Sequence, residues 1–127
     1  SFLVYKLKLF NKDFSKRQYF AKKYLKLIKN YKITLPVVRK DTIHAFHLFV
    51  IEVTNRSKFI KFLSQKNIET SIHYSKPLHK HKGFKNILKF DELKNTEILN
   101  KKIVSLPLNT NLSETNILKI IKAVNEF

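Results

Sequence analysis

The first third of the chain combines two different apolar patterns. Residues 15–30 carry apolar side chains at helical spacing, with lysines mostly between them, and this spacing predicts a helix whose apolar face is formed by Phe20, Tyr24, Leu27 and Ile28. Ser15 is placed to cap its N-terminus. Residues 3–10 instead alternate apolar and basic positions. This alternation predicts a strand, with a helix leading into the next one as the alternative.

The middle of the chain predicts a strand–helix–strand unit. Residues 44–53 are apolar, aromatic and β-branched, which is typical of a buried central strand. Asn55 or Thr54 then caps a helix with Phe59, Ile60 and Leu63 on one face. Asn67 is expected to end that helix, because Asn tolerates the left-handed backbone conformation found there. Residues 68–74 alternate again and predict the returning strand.

The last third predicts a long basic loop over residues 75–90, followed by a helix over about 92–102. A short strand is predicted over residues 103–108, and Pro107, which cannot donate to a β-ladder, either terminates it or confines it to an edge of the sheet. Ser113 caps a final helix whose apolar stripe is Ile117, Ile120, Ile121 and Val124. The predicted fold class is therefore α+β, a small sheet packed by helices.

Composition narrows the class of protein. The 127 residues correspond to about one domain, and a hydrophobic fraction of 43% with 11 Phe favours a folded globule over disorder. Cysteine is absent, which excludes disulfides and thiolate metal sites. No apolar run approaches the roughly 18 residues of a membrane span, and there is no signal-peptide pattern. These features fit a cytoplasmic protein.

The formal net charge of +17 raises the possibility of nucleic-acid binding. Only three of the 26 basic residues are arginine, the residue best suited to reading guanine and clamping phosphate, and the lysines are spread over the whole chain. Abundant Lys, Asn, Ile and Phe also match the codon bias of an AT-rich genome. We therefore favour a solvated lysine surface and keep a small basic nucleic-acid-binding module as the alternative.

The chain lacks the residues that most forms of autonomous catalysis need. There is no cysteine, no Gly-x-Ser-x-Gly elbow, and a single glycine excludes a glycine-rich phosphate loop. The five histidines show no helical metal-binding pair, so metal binding is not expected. His47, inside the apolar predicted strand, is interpreted as a structural histidine, and His44 as a surface residue.

One segment does concentrate reactive groups where a predicted strand ends. It contains His73, Tyr74, Lys76 and His79, with Pro77 fixing the loop between them. An imidazole, a phenol and an ammonium group there could bind an anion. A capped strand followed by an exposed basic loop explains the same residues equally well from spacing alone.

The order of these motifs resembles the C-terminal part of the DegT/DnrJ/StrS family of pyridoxal-phosphate-dependent aminotransferases. The family's His-Tyr-Pro-x-Pro-x-His stretch is matched by residues 73–79 and its Ser-Leu-Pro strand by residues 105–107. Its Arg-x-x-x-Ala-x-x-Tyr helix is matched by Arg17, Ala21 and Tyr24, and residues 47–51 resemble the strand that opens the small domain. Two departures are Ser75 for a usual proline and Asn67 for a usual glycine.

The resemblance implies a fold like the C-terminal small domain of fold-type I pyridoxal-phosphate transferases. Residues 1–35 would be a helical segment leading from a large domain, and residues 36–127 the small α+β domain. The full enzyme would transfer an amino group from glutamate to a nucleotide-linked keto sugar and would form a homodimer. His73, Tyr74, Lys76 and His79 would border the substrate, with His73 and Tyr74 near the sugar nucleotide.

The resemblance also implies what this chain would lack. No segment resembles the family's Schiff-base lysine region or the acid that faces the pyridine nitrogen, so pyridoxal phosphate would be bound elsewhere and the chain should not transaminate alone. The sequence starts at Ser1 and contains no methionine, which favours a fragment, a processed product or a lost initiator residue. A third hypothesis is an interaction domain that associates with a full-length relative.

Overall fold

The computed structural model describes residues 2–84 and 92–127. Within these ranges a three-stranded antiparallel sheet, in the order β1–β2–β3, is packed by helices. The elements are α1 (Phe2–Leu27), β1 (Ile33–Thr34), β2 (Phe49–Val53), α2 (Arg56–Gln65), α3 (Lys94–Lys102), β3 (Ile103–Leu106) and α4 (Glu114–Glu126). This confirms the predicted α+β class.

The central strand β2 organises the sheet. It pairs with β3 so that Phe49 lies opposite Leu106, and with β1 so that Val53 lies opposite Ile33. Alternate β2 residues are fully buried while those between them are half-buried, as expected for a strand that turns one face to the core. The register therefore places these buried side chains on one face of the sheet: Ile33, Phe49, Ile51, Val53, Val104 and Leu106.

The second half of α1 and the apolar face of α4 cover that interior. Phe20, Ala21 and Tyr24 are buried on α1. The Tyr24 ring lies 4.9 Å from the Phe49 ring, between centroids, and its hydroxyl donates to the Pro107 carbonyl over 2.7 Å. Burial raises the pKa of the Tyr24 phenol well above its ordinary value, so it remains a hydrogen-bond donor at any physiological pH.

The final helix begins as predicted. The Ser113 hydroxyl accepts a hydrogen bond from the Asn116 backbone amide over 3.1 Å, and the Asn116 side chain accepts one from the Ser113 amide over 3.0 Å. This reciprocal cap satisfies donors that the first turn leaves unpaired. The predicted apolar stripe is buried.

The strand predicted for residues 3–10 is wrong, and the helical alternative is correct. One helix runs from Phe2 to Leu27, so Ser15 lies inside it rather than capping it. The alternation is compatible with both structures because Leu3, Leu7 and Phe10 also fall at helical spacing, and no glycine or proline separates them from the following helix.

Two further strands are shorter than predicted. The one predicted over residues 44–53 begins at Phe49, because Phe46 adopts a left-handed backbone conformation with φ 46° that interrupts extended structure. The one predicted over residues 68–74 is reduced to a single bridge between Ser71 and Ser105. Asn67, in contrast, does adopt the expected left-handed conformation with φ 56°, and Asn55 does cap α2.

The predicted loop after residue 75 contains two short 3₁₀ turns, Leu78–Lys80 and Lys82–Phe84, while residues 85–90 of that prediction lie outside the described residues. The next helix starts at Lys94, and β3 ends at Leu106, just before Pro107 as predicted.

The division of the chain into a helical segment over residues 1–35 and a small domain over residues 36–127 stays a prediction. In the described ranges, no helix combines the length and apolarity needed to cross a membrane.

Candidate functional site

A cleft of about 300 Å³ opens beside the edge of the sheet where β2 begins and β3 ends. Residues preceding β2, residues following β3 and the segment after α2 meet there. The polar lining residues are His47, Glu69, Ser71, His73 and Ser105, and the others are Leu48, Leu106, Pro107 and Leu108. The cleft is thus lined by two imidazoles, a carboxylate and two hydroxyls, together with apolar side chains and a proline.

The His73 side chain is fixed in this cleft by the sheet. Its Nδ1 lies 2.9 Å from the hydroxyl of Ser105, which is buried on β3. Two backbone hydrogen bonds between Ser71 and Ser105, of 3.2 and 2.8 Å, attach the segment to the same strand. His73 therefore has a defined orientation, with one ring nitrogen committed to Ser105.

Ser105 was not predicted as a site residue. It is the only buried polar residue among those described, and it stands between Val104 and Leu106 in an otherwise apolar strand. By strand alternation its side chain lies on the opposite face of the sheet from those of Val104 and Leu106, and sequence spacing does not show that His73 reaches it on that face.

Tyr74 follows His73 on an exposed turn. Its side chain is 75% exposed, and its ring packs edge-on against the His73 imidazole with centroids 5.7 Å apart. The Asn100 side-chain amide donates to the Tyr74 carbonyl over 2.7 Å. The carbonyl of Asn100 in turn accepts a hydrogen bond from the Arg56 guanidinium, so α2, α3 and the turn are linked.

Lys76 and His79 lie outside the lining of this cleft. Lys76 is exposed, and its carbonyl lies 3.2 Å from Nε2 of His81. The His79 side chain is only 10% exposed, and its Nε2 lies 3.2 Å from a Glu97 carboxylate oxygen on α3. Of the four predicted site residues, the structure thus brings His73 into the cleft with Tyr74 beside it, and turns His79 towards α3.

Glu97 connects the 3₁₀ turn to α3 through a second cation. The Lys80 ammonium lies 2.8 Å from the carboxylate oxygen that His79 also approaches. Hydrogen bonds from Lys80 and, second, from His79 hold the pKa of Glu97 below its ordinary value. The carboxylate therefore stays ionised, and it anchors the loop that carries His79.

The interpretation of His47 as a structural histidine is wrong. His47 precedes β2 rather than lying within it, and its side chain is exposed and lines the cleft. Its carbonyl accepts a hydrogen bond from the Arg17 guanidinium over 3.2 Å, as does that of Leu108 over 3.2 Å. Arg17 thereby ties two walls of the cleft to α1. His44 is exposed, as expected for a surface residue.

The donor set of the cleft fits a polyhydroxylated ligand better than a cofactor with an aldehyde and a phosphate. Carboxylate, imidazole and hydroxyl groups exchange hydrogen bonds readily with sugar hydroxyls. Pyridoxal phosphate needs a lysine amine and donors for its phosphate, and neither lysine nor arginine is among the lining residues described. No group of three His, Asp or Glu side chains suited to a metal ion occurs within residues 2–84 and 92–127.

Comparisons with known proteins place the chain among aminotransferases. The profile of the DegT/DnrJ/EryC1/StrS aminotransferase family matches residues 1–125. The dTDP-3-amino-3,6-dideoxy-α-D-galactopyranose transaminase of Aneurinibacillus thermoaerophilus is 35% identical over 125 residues, covering 98% of this chain and 34% of that protein. The dTDP-3-amino-3,4,6-trideoxy-α-D-glucose transaminase of Streptomyces venezuelae is 29% identical over 96 residues, covering 75% of this chain and 25% of that protein.

Solved structures agree with the sequence comparison. The S. venezuelae DesV structure in complex with a ketimine intermediate superposes with a TM-score of 0.91 at 28% identity, covering 98% of this chain and 34% of that one. A DegT/DnrJ/EryC1/StrS aminotransferase from Brucella abortus gives a TM-score of 0.89 at 28% identity, with the same coverage of 98% and 34%. The chain thus spans about a third of the length of these relatives. It belongs to the DegT/DnrJ/EryC1/StrS aminotransferase family.

Proposed function

We propose that this chain is the substrate-bordering part of a pyridoxal-phosphate-dependent aminotransferase acting on a nucleotide-linked keto sugar. The whole enzyme, a homodimer, moves an amino group from glutamate to the sugar carbonyl. The observation that supports this most strongly is the match of 98% of the chain to 34% of a protein named as a dTDP-sugar transaminase. The alternative of a nucleic-acid-binding module has no support from these comparisons.

The cofactor is proposed to lie in the part of the family chain that this sequence does not contain. Pyridoxal phosphate supplies the electron sink for transamination when it is bound. The described cleft offers no lysine amine to it, and the Glu69 carboxylate would repel its phosphate. The proposed contribution of this chain is therefore to bind and orient the sugar, rather than to hold the cofactor.

His73 and Tyr74 are the proposed substrate contacts. With its Nδ1 held by Ser105, the His73 ring can present Nε2 as the free hydrogen-bonding position towards the cleft. The exposed Tyr74 ring adds an apolar face and a hydroxyl at the margin. A fixed imidazole beside an exposed phenol suits a sugar ring with several hydroxyls.

Lys76 and His79 are assigned different tasks within the same proposal. The exposed Lys76 ammonium provides positive charge for the diphosphate of a nucleotide sugar. His79, largely buried against Glu97, acts as a positioning residue that anchors the loop following Tyr74. Loss of either should therefore affect substrate binding, Lys76 through charge and His79 through loop geometry.

A chimeric enzyme tests the proposed function. The matching third of the A. thermoaerophilus transaminase would be replaced by this chain, and turnover measured with glutamate and the keto sugar whose amination gives dTDP-3-amino-3,6-dideoxygalactose. We expect amine formation well above that of the same enzyme lacking the replaced third. A chimera that folds and shows the visible absorbance of bound pyridoxal phosphate, yet forms no amine, contradicts the proposal.

The same chimera tests the residues. His73→Gln and Tyr74→Ala should each raise KM for the sugar nucleotide by about tenfold, the effect of losing one good hydrogen bond or ring contact. His44→Gln and Tyr31→Ala are matched controls, since both side chains are exposed and neither lines the cleft. Equal effects of the site and control variants would contradict the assignment.

A further inference from the structure

Ser105 lies on the less buried face of the sheet, yet its side chain is enclosed. Its partner on β2 is Val50, which is half-buried, whereas the flanking Val104 and Leu106 are buried on the other face. Ser105 is nevertheless only 5% exposed. A β-bridge holds the segment that carries His73 against this position. A hydroxyl enclosed in this way has to form its hydrogen bonds within the protein.

The hydrogen bonds of Ser105 leave one acceptor for its hydroxyl proton. Its backbone amide and carbonyl are both paired with Ser71, over 2.8 and 3.2 Å. Within residues 2–84 and 92–127, the one hydrogen-bonding partner of its Oγ is Nδ1 of His73, 2.9 Å away. An imidazole nitrogen can accept the hydroxyl proton only while that nitrogen is itself unprotonated. The direction of this hydrogen bond therefore decides which ring nitrogen of His73 carries the imidazole proton.

Two arrangements fit the separation between Oγ and Nδ1, and they differ by one satisfied group. If Nδ1 carried the imidazole proton, it would donate to Oγ, and the enclosed hydroxyl proton would have no acceptor among the described residues. If the Ser105 hydroxyl donates to Nδ1 instead, both atoms are satisfied and the imidazole proton lies on Nε2. Because an unpaired buried donor is costly, the second arrangement is favoured.

We propose that Ser105 is a positioning residue that fixes His73 as the tautomer protonated on Nε2. Within the described ranges no hydrogen bond uses Nε2, and the ring lines the cleft. His73 thus offers the cleft an N–H donor rather than an acceptor. This inference rests on the proposed function only in taking the cleft as the place where the sugar binds.

A fixed donor on His73 complements the carboxylate of Glu69 in the same cleft. An ionised carboxylate can only accept hydrogen bonds, and no ion pair or side-chain hydrogen bond of the described residues occupies Glu69. Sugar hydroxyls both donate and accept, so one hydroxyl can accept from Nε2–H while another donates to Glu69. The ligand feature that faces His73 is therefore an acceptor oxygen, and an ammonium group at that place is disfavoured.

The imidazole nitrogen resonances of the 127-residue chain test the tautomer without cofactor, substrate or turnover. Spectra recorded at about pH 8.5, well above the ordinary imidazole pKa of about 6.5, report on neutral rings. His73 should show a protonated Nε2 and an unprotonated Nδ1. His47 is the internal reference, since its exposed ring has no hydrogen-bond partner within residues 2–84 and 92–127. A protonated Nδ1 on His73 overturns the proposal.

Single substitutions show whether Ser105 sets the tautomer. Ser105→Ala should lower the ratio of Nε2-protonated to Nδ1-protonated His73 about three- to tenfold, the equivalent of one lost hydrogen bond. Ser105→Thr keeps the hydroxyl and suits a strand, so it should retain the parent ratio. Ser75→Ala, which removes an exposed hydroxyl two residues after His73, is the matched control and should also retain it. An equal ratio in Ser105→Ala and the parent chain overturns the role of Ser105. If Ser105→Ala does not fold, a lowered ratio in Ser105→Thr overturns it instead.

The chimeric enzyme shows whether Ser105 acts through His73. Ser105→Ala should raise KM for the sugar nucleotide about three- to tenfold with little change in kcat. Combined with His73→Gln it should be no worse than His73→Gln alone, because the hydroxyl then has no imidazole to orient. Effects on KM that multiply overturn the positioning role. A folded chimera that forms no amine contradicts the proposed function instead, and the tautomer of His73 in the isolated chain still decides the inference about Ser105.

Discussion

The two halves of α1 share one helix and one apolar spacing, yet they contribute to the molecule in different ways. The second half is buried, with Phe20, Ala21 and Tyr24 in the core, and the first half presents Leu7 and Phe10 to solvent. Only the neighbours differ, because the sheet and α4 lie beside one half and not beside the other. An amphipathic spacing therefore identifies the face of a helix that needs a partner without saying whether the partner is present.

The largest expected effect separates the two halves directly. Tyr24→Ala should lower the free energy of unfolding by about 3–5 kcal/mol, because it removes a fully buried ring. Phe10→Ala should change it by no more than about 0.5 kcal/mol, since the ring is mostly exposed. Urea unfolding of both variants at the same protein concentration gives both values. Similar losses for the two variants would contradict the comparison.

The boundary between the halves can be tested at Arg17. Arg17→Met keeps an unbranched apolar stem but removes the donor to the carbonyls of Phe46, His47 and Leu108. We expect a loss of about 1–3 kcal/mol in the free energy of unfolding, together with faster amide hydrogen exchange in residues 44–48. Lys22→Met, at an exposed position on the same helix, is the control. Unchanged exchange in residues 44–48 would argue against Arg17 as the link.

A smaller loss of stability is expected from a change in α4, the helix that packs against the second half of α1. Ser113→Ala removes the hydroxyl that caps α4 and should cost about 1 kcal/mol in the free energy of unfolding. Ser64→Ala, at an exposed position inside α2, should cost about 0.5 kcal/mol or less. Thermal and urea unfolding of both variants give the comparison. A cap variant as stable as the parent chain would show that α4 is held by packing alone.

The smallest expected change in stability comes from the contact between Glu97 and the loop that follows Tyr74. Because Lys80 and His79 lower the pKa of Glu97 in the folded chain, its contribution to stability is present above the ordinary value of 4.5 and is lost as the pH falls through the lower folded pKa. Glu97→Gln should therefore reduce the difference in stability between pH 6 and pH 3 slightly. The imidazole resonances of His79 should shift in the same variant. An unchanged His79 spectrum would contradict the contact.

Much of the fold follows from short-range patterns in the sequence. The cap at Ser113, the left-handed Asn67 and the end of β3 before Pro107 are each determined by a few neighbouring residues, and each was predicted. Residues 3–10 were misassigned because their alternation is compatible with both strand and helix. The prediction of a strand that reaches Tyr74 is wrong because this segment pairs with β3 at a single point, between Ser71 and Ser105. Sequence spacing does not reveal how many residues of a segment find a partner strand.

The candidate site was only partly predictable for a similar reason. His73 and Tyr74 stood out because reactive groups cluster after an alternating segment. The roles of Ser105 and Asn100 depend on contacts across 32 and 26 residues of sequence. His47 was assigned to the interior because its neighbours are apolar, and the left-handed Phe46 places it outside the strand instead. Long-range packing, rather than local pattern, decides which polar groups meet.

The most direct test of the central claim asks where the cofactor binds. The chain would be incubated with low-micromolar pyridoxal phosphate, reduced with borohydride, and the pyridoxylated lysines mapped by mass spectrometry. If this chain contributes the substrate-bordering part only, modification should be substoichiometric and spread over many of its surface lysines, with no distinct visible absorbance band. Stoichiometric modification of a single lysine, accompanied by such a band, would contradict the account.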